Sequence, residues 1–433
     1  MRIGMAVAAA LLAGIATSAA ADLNEPGAGT DSLSGVAEFL RDSRGSGVLR
    51  ANYFRSSKSL DDATDFLGAT VQLKALPTFT ESLDGKAEAR ITNSAVGEDA
   101  ETRNRLLEGY VTARFEKADL RLGKQIVAWG RADGINPTDN LTPRDFTLML
   151  PFEDDQRFGT PAAKLDAYLS PEYTLTVFAT PFFEPSKIPL PTDGVTFVEK
   201  QPARNLSNTE VGLKLNQVGA GFDWSVSYFR GFSLLPDLRL IGTALAGPIQ
   251  ELHYDRITVL GADFARNYGR FGFRGEVAYV DTADNRGDDP GIKNPYLYWI
   301  AGADRTFFDN LNVNVQFFQR RVRNYHDPEN IVDLLERGIA IQNAILDGQR
   351  DRISNGISFR VSNKWFNDTL EAEIFAAVNL TRNDSFWRPL LTYAFNDHWK
   401  GTTGAELYRG AEDTQYGGLK RNRSGFVELR YSF

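Results

Sequence analysis

Alternation of apolar and polar residues dominates this 433-residue chain. In SLDGKAEARIT, Leu83, Gly85, Ala87, Ala89 and Ile91 share one face, and Asp84, Lys86, Glu88, Arg90 and Thr92 the other. Phe271, Phe273, Gly275, Val277 and Tyr279 oppose Arg274 and Glu276 in the same way. Leu370, Ala372, Ile374, Ala376 and Val378 oppose Glu371 and Glu373. A period of two belongs to strands and excludes helix for these runs. It predicts strands at 48–56, 65–76, 83–92, 104–115, 119–129, 162–170, 172–182, 208–217 and 220–232. Nine more follow at 256–266, 270–281, 295–306, 311–323, 352–362, 368–380, 385–396, 398–409 and 420–433. The alternation is weakest in 256–266 and 295–306.

The connections between these runs also alternate. Tight turns such as EKA, PE, VGA and NYG are followed by longer segments, chiefly 130–161, 183–207, 233–255, 282–294 and 324–351. One short rim and one long rim are the signature of a transmembrane antiparallel up-and-down β-barrel, with short periplasmic turns and long extracellular loops. The prediction is therefore an all-β barrel of about 18 strands, with 16 as the alternative. Its last strand must close on its first, because an open edge in hydrocarbon leaves backbone groups unsatisfied. The final residues, FVELRYSF, put Val427, Leu429, Tyr431 and Phe433 on the lipid face. Trp224, Trp365 and Trp399 fall near the short-turn rim, and Trp129 and Trp387 near the long-loop rim, where amphipathic rings meet the bilayer interface.

The amino terminus changes the picture from sheet to secreted sheet. Arg2, the apolar run Ala6–Ala16 and Ala19-Ala20-Ala21 before Asp22 form the three parts of a cleaved secretory signal, 1–21. Residues 22–47 then read as a short periplasmic segment, and 48–433 as the barrel. The chain has no Cys, so neither a disulfide framework nor a thiolate metal site is available. A net charge of −8 argues against a nucleic-acid partner. Aromatic residues make up 12%, with 29 Phe and 15 Tyr, which suits a lipid-facing belt.

A barrel this wide leaves an aqueous lumen. The polar faces of the strands carry both signs of charge, with a modest basic excess. Wall positions Arg114, Arg121, Arg274, Arg320, Arg360 and Glu371 are candidates to line the pore. Arg144, Asp145 and Arg157, in the first long segment, are candidates for a constriction. That segment also carries Leu148, Met149, Leu150 and Phe152; 233–254 is apolar for a surface loop; and Ile331, Leu334, Leu335, Ile339 and Ile345 recur at helical spacing. Exposed apolar loops need cover, and folding inward across the lumen supplies it; packing on one another above the barrel is the alternative. Catalysis is disfavoured: no Ser or Asp near the three histidines, His253, His326 and His398, makes a recognisable triad with them. Glu153-Asp154-Asp155 and Asp288-Asp289 are oxygen-rich enough to meet a divalent cation, but such runs are commonly just solvated. The expectation is no metal and no cofactor.

Three stretches resemble known families. The alternating carboxyl end with its terminal Phe433 resembles the signal by which assembly machinery recognises Gram-negative outer-membrane barrels. AEFLRDSRGSGVLRANYFRSS, 37–57, resembles the opening of substrate-specific porins of the basic-amino-acid and carboxylate type. LRLGKQIVAWGRADGINPTDNLTPRDF, 120–146, is similar to a motif of porin-like outer-membrane proteins, many without an assigned substrate. The resemblance implies a cell outer-membrane location, lipid and lipopolysaccharide as surroundings, the barrel assembly machinery as a partner, and a homotrimer as one possible assembly. The function expected is a passive channel for small polar or charged solutes. A barrel for hydrophobic or lipid-like molecules, or part of an exporter, is the first alternative, and a blocked structural barrel the second.

Overall fold

The structure is a computed structural model in which residues 44–57, 64–95, 101–190, 194–219, 221–245 and 247–433 are described. The predicted signal segment 1–21, and 22–43 of the predicted lead-in, lie outside the described residues. The wall begins with β1 (Ser46–Ser56), β2 (Asp65–Ala75), a short β3 (Thr78–Thr80), β4 (Leu83–Ala95) and β5 (Glu101–Phe115). It continues through β6 (Ala118–Gln125), β7 (Thr160–Tyr168) and β8 (Tyr173–Thr180). Then β9 (Thr196–Lys200) leaves it, β10 (Glu210–Gln217) and β11 (Asp223–Phe232) rejoin it, and β12 (Asp237–Ala244) and β13 (Gly247–His253) leave it again. The rest of the wall is β14 (Arg256–Tyr268), β15 (Phe271–Asp281), β16 (Tyr296–Phe307), β17 (Leu311–Val322), β18 (Ile353–Trp365), β19 (Leu370–Asn379), β20 (Asp384–Ala394), β21 (Trp399–Arg409) and β22 (Ser424–Ser432).

Eighteen of these strands form one closed antiparallel sheet, and β3 is a short spur on β4. All eighteen predicted strands are present, including the two with weak alternation, β14 and β16. Closure runs through nine register pairs between β1 and β22, from Val48↔Ser432 to Ser56↔Ser424. At the base of this seam Gly47 N–H donates to the Phe433 carbonyl at 2.8 Å, and Phe433 N–H to the Gly47 carbonyl at 3.0 Å. The Phe433 ring lies so close over Gly47 that a Cβ there would sit 2.2 Å from Cζ, so any larger residue would have to push the ring aside.

The alternation sorts the two faces. Ile91, Leu122, Leu213, Leu260, Val315, Leu391 and Val427 are exposed on the outer face. Their cross-strand neighbours at intervening positions, among them Arg50, Arg90, Asp263, Glu276 and Gln316, are buried on the inner one. An apolar exterior around a polar interior is stable only with lipid outside, so the wall is a membrane-spanning one. Aromatic residues mark the short-turn rim: Trp399 packs on Tyr431 at 4.8 Å and Tyr431 on Phe433 at 5.9 Å.

Two predictions need correction. The fifth predicted strand, expected over 119–129, is β6 and stops at Gln125. Beyond it the backbone turns away from the wall: Ile126 N–H donates to Glu108 Oε1 at 3.0 Å and Val127 N–H to Thr142 Oγ1 at 2.8 Å. Trp129 consequently is not a rim anchor. It is buried among Val127, Leu141, Phe178, Phe229 and Val259. An indole ring gains more from full burial against those side chains than from a half-wet rim.

The described parts of the long segments 181–209, 233–255, 282–295 and 323–352 build a cap at the long-loop end. Here β12 pairs antiparallel with β13, and β13 pairs parallel with β9, making a second sheet of three strands. The helix α1 (Leu334–Leu346) begins at Asp333, whose carboxylate accepts from the Leu335 and Glu336 N–H groups, an ordinary N-cap. Its Ile339 packs against Leu238 and Leu252. Asn343 bridges helix to sheet, accepting from Leu238 N–H at 2.7 Å and donating to the Leu238 carbonyl at 2.8 Å. Buried Lys293 lies 2.6 Å from Asp347 and 3.4 Å from Asp237. Burial pushes the Asp237 carboxyl well above the ordinary carboxylate range. Burial would also depress Lys293, but the two acids more than offset it and hold the ammonium above its usual value.

Candidate functional site: a segment that crosses the lumen

Residues 126–159 meet the cap at Lys187, whose N–H donates to the Arg144 carbonyl at 2.8 Å and whose carbonyl accepts from Phe146 N–H at 2.9 Å, but they follow a course of their own. They run through the inside of the barrel and grip its wall on opposite sides. On the side of β1, Arg50 donates to both oxygens of Asp155, at 2.5 and 3.0 Å. Arg90 of β4 donates to the Asp155 carbonyl at 2.5 Å, with its other nitrogen 3.6 Å from the carboxylate. Arg103 of β5 donates to Thr147 Oγ1 at 2.8 Å, and Arg105 pairs with buried Asp145 at 3.1 Å. Asn52 Nδ2 holds the Met149 carbonyl at 3.0 Å.

Counting wall strands from β1, β14 is the tenth, half-way round a barrel of eighteen. There the same segment presents the opposite charge. Arg131 Nε pairs with Asp263 of β14 at 2.6 Å, and its Nη2 donates to Asn216 of β10 at 2.6 Å. Glu276 of β15 accepts from the backbone N–H of Arg131 and of Ala132, and from Thr138 Oγ1 at 3.2 Å. Gly130 (φ +103°) makes this possible, since a Cβ there would lie 2.6 Å from Glu276 Oε1. Further round, Gln316 clasps the Asp133 backbone at 3.0 and 2.7 Å, and Arg360 Nε meets the Asp133 carboxylate at 2.9 Å. Inside the segment, Asp139 accepts from Arg157 and lies 3.6 Å from Arg144.

The wall near β1 is built for anions in one further respect. Lys400, Arg430, Arg50, Thr70, Thr92 and Arg103 are successive register partners across β21, β22, β1, β2, β4 and β5. Two residues along each strand, Gln72, Arg90 and Arg105 are likewise opposite each other. Like charges directly opposite one another repel unless an anion lies between them. These residues form a cationic band from the short-turn rim to the long-loop rim.

The predicted site residues divide accordingly. Arg144, Asp145 and Arg157 lie inside the crossing segment, and Arg360 is one of its wall anchors. Arg121 faces the lumen with its guanidinium 4.4 Å over the Tyr110 ring. Arg320 stacks at 4.4 Å on Tyr298 and donates to the Asp347 carbonyl, so it supports the cap rather than the crossing segment. Arg114 pairs with Asp84, Arg274 with Asp304 at 3.1 Å, and Glu371 lies 4.0 Å from Lys364; all three pairs are near the short-turn rim, away from the segment. The Asp155 carboxylate, read from sequence as a possible cation ligand, is held by arginines instead. Among the described residues no group of three or more His, Cys, Asp or Glu is placed to hold a metal ion. Arg50, Arg131, Asp133 and Asp263 were not singled out from the sequence; their partners lie between 85 and 227 residues away, and no local spacing announces such pairs.

The fold is that of known outer-membrane barrels. The chain superposes on Pseudomonas aeruginosa OccK5 (OpdH) with a TM-score of 0.54 at 10% identity, covering 91% of this chain and 99% of that one. Acinetobacter baumannii OccAB1 gives 0.54 at 12% identity, over 90% and 96%. Pseudomonas aeruginosa OpdK, solved with vanillate, gives 0.53 at 10% identity, over 90% and 98%. At such identities the likeness is one of fold. No curated protein sequence matches the chain. The profile of a family described as "Protein of unknown function (DUF1302)" matches residues 48–416, and the chain belongs to that family.

Proposed function

We propose that this protein is an outer-membrane channel through which small polar or charged solutes diffuse passively, narrowed by residues 126–159 and favouring anions along its cationic band. The observation that carries this reading is the crossing segment itself. It offers Arg131 to the acidic wall at β14 and Asp145 and Asp155 to the basic wall at β1 and β5. Charge separated across a narrow, water-poor aperture sets up a transverse field that selects and orients charged solutes. A lumen polar on both walls is a poor path for hydrophobic or lipid-like cargo, which disfavours that alternative. In this reading the short turns face the periplasm and the cap faces outward. Segment 1–21 directs export, and the Phe433 end engages the assembly machinery. Lipid and lipopolysaccharide surround the wall, homotrimers are compatible with it, and no catalysis is assigned.

The test is reconstitution of the purified full-length protein into planar bilayers. Stepwise ion current is expected, reduced by carboxylates more than by sugars or neutral amino acids. A barrel that inserts yet passes no current at any voltage overturns the proposal in favour of a blocked one.

A further inference from the structure

Asp155 sits in its arginine site as a ligand would. Arg50 and Arg90 are both almost fully buried, and they converge on a single carboxylate that belongs to the crossing segment rather than to the wall. Arg50 holds it with two parallel N–H···O bonds, the geometry by which a guanidinium recognises a carboxylate or phosphate. Arg430, directly opposite Arg50 in register, adds a third cation with no carboxylate bonded to it. The wall's own acid here, Glu428, lies 3.9 Å from Arg50 and makes no hydrogen bond with either oxygen. Three cations thus face Glu428 and one borrowed carboxylate, the next wall acid, Glu88, being paired with Lys86 at 2.7 Å. Arg50 Nε, buried and without a partner, leaves donor capacity unused even with Asp155 in place. Lift Asp155 away, and three guanidinium groups are left with one acid among them, a strongly unfavourable arrangement in a partly desolvated wall unless another anion arrives.

We propose that the Arg50–Arg90–Arg430 cluster is a binding site for a small carboxylate or phosphate anion, and that Asp155 fills it as a built-in competitor. A solute anion and the crossing segment then exclude each other from the site. Binding of the solute releases Asp155 from the wall, while Asn52, Arg103 and Arg105 still hold Met149, Thr147 and Asp145, and Arg131, Glu276 and Arg360 still hold the other end. The inference deepens the channel reading and rests on it for its biological meaning, but binding can be measured whether or not current flows.

The test compares wild type with Asp155→Asn, which keeps the shape and removes the charge. Benzoate binding to the detergent-purified, full-length barrel is measured by calorimetry, with uncharged benzamide and inorganic phosphate alongside. If the internal carboxylate occupies the site nine-tenths of the time, its loss should tighten benzoate binding about tenfold. Benzamide should bind neither protein, and Asp155→Glu should behave as wild type. Arg50→Gln should abolish benzoate binding in either background, and this arm decides the matter if Asp155→Asn does not fold. Phosphate competing with benzoate shows that the site reads charge rather than one particular anion. Equal benzoate affinity in wild type and Asp155→Asn, or binding that survives Arg50→Gln, overturns the site. Tighter binding in Asp155→Asn without current from either protein keeps the site and removes the channel.

Discussion

The β1–β22 seam and the 126–159 segment both join parts of the chain that are far apart in sequence, but they do so with different chemistry. The seam is made by backbone groups, nine register pairs in a row, with Val427 and Leu429 turned to lipid. Any alternating sequence with small residues where rings overhang would make it. The crossing segment is held by named side chains: Arg50, Arg90 and Arg105 on one side, Asp263, Glu276 and Arg360 on the other. Exchange of any of these for an apolar residue of like size leaves no equivalent bond. The wall therefore specifies a container, and on the proposed reading the segment specifies what the container lets through. Changes in the first should cost assembly, and changes in the second should cost selectivity with assembly intact.

The largest effect should come from breaking the seam. Leu429→Pro removes a ladder donor in β22, opposite Ala51 and Gly401, and each backbone group left unpaired in hydrocarbon costs several kcal/mol. The expected outcome is loss of the compact, heat-modifiable band in gel electrophoresis. A normal band would show that backbone closure is not what holds the wall.

Next comes the cap, whose core is a buried ion pair. Lys293→Met leaves Asp237 and Asp347 without their cation, at a cost of about 3–5 kcal/mol. Hydrogen exchange should quicken in β12, β13 and α1 while the wall keeps its protection. Faster exchange throughout the barrel would mean that cap and wall unfold as one unit.

The crossing segment should respond more mildly. Glu276→Ala removes the acceptor for three donors, at about 1–3 kcal/mol for each group left unsatisfied. The folded band should persist, and single-channel current should become noisier as the Arg131 end loosens. Unchanged current noise would place the anchoring elsewhere.

The smallest effect concerns a surface cluster at the long-loop end. Lys420 and Arg421 hold the Glu412 carboxyl below its ordinary value. A depressed carboxylate contributes stability above its unfolded pKa and loses it as pH falls through the folded one. Exchange in 410–423 should therefore quicken only below the ordinary carboxylate range, and added salt should blunt the difference.

How much of this was legible follows from the same contrast. The eighteen strands were legible because each wall residue obeys a local rule, lipid on one side and water on the other, that repeats every two positions. The α1 helix was half legible: Leu334, Leu335, Ile339 and Ile345 show its spacing, although its role in roofing β12 does not. Strands β9, β12 and β13 were missed, since DLRLIGTA and GPIQELH are apolar without clean alternation and read as loop. Trp129 was misplaced because a tryptophan at the end of a strand satisfies the rim rule locally, while its burial depends on Phe178 and Phe229, which nothing nearby in the chain discloses. The pairing of Arg50 with Asp155 spans 105 residues and is a property of the closed barrel alone.

The cationic band has one geometric corollary. Strands in a closed sheet lean about 35–45° from the axis, so a row perpendicular to them climbs as it goes round. From Lys400 to Arg103 the row crosses five inter-strand gaps of the eighteen, more than a quarter of a revolution. An anion passed from one positive charge to the next would move as along a thread, turning while it descends. Its steps would be short and its sense of rotation fixed by the handed tilt of the staves.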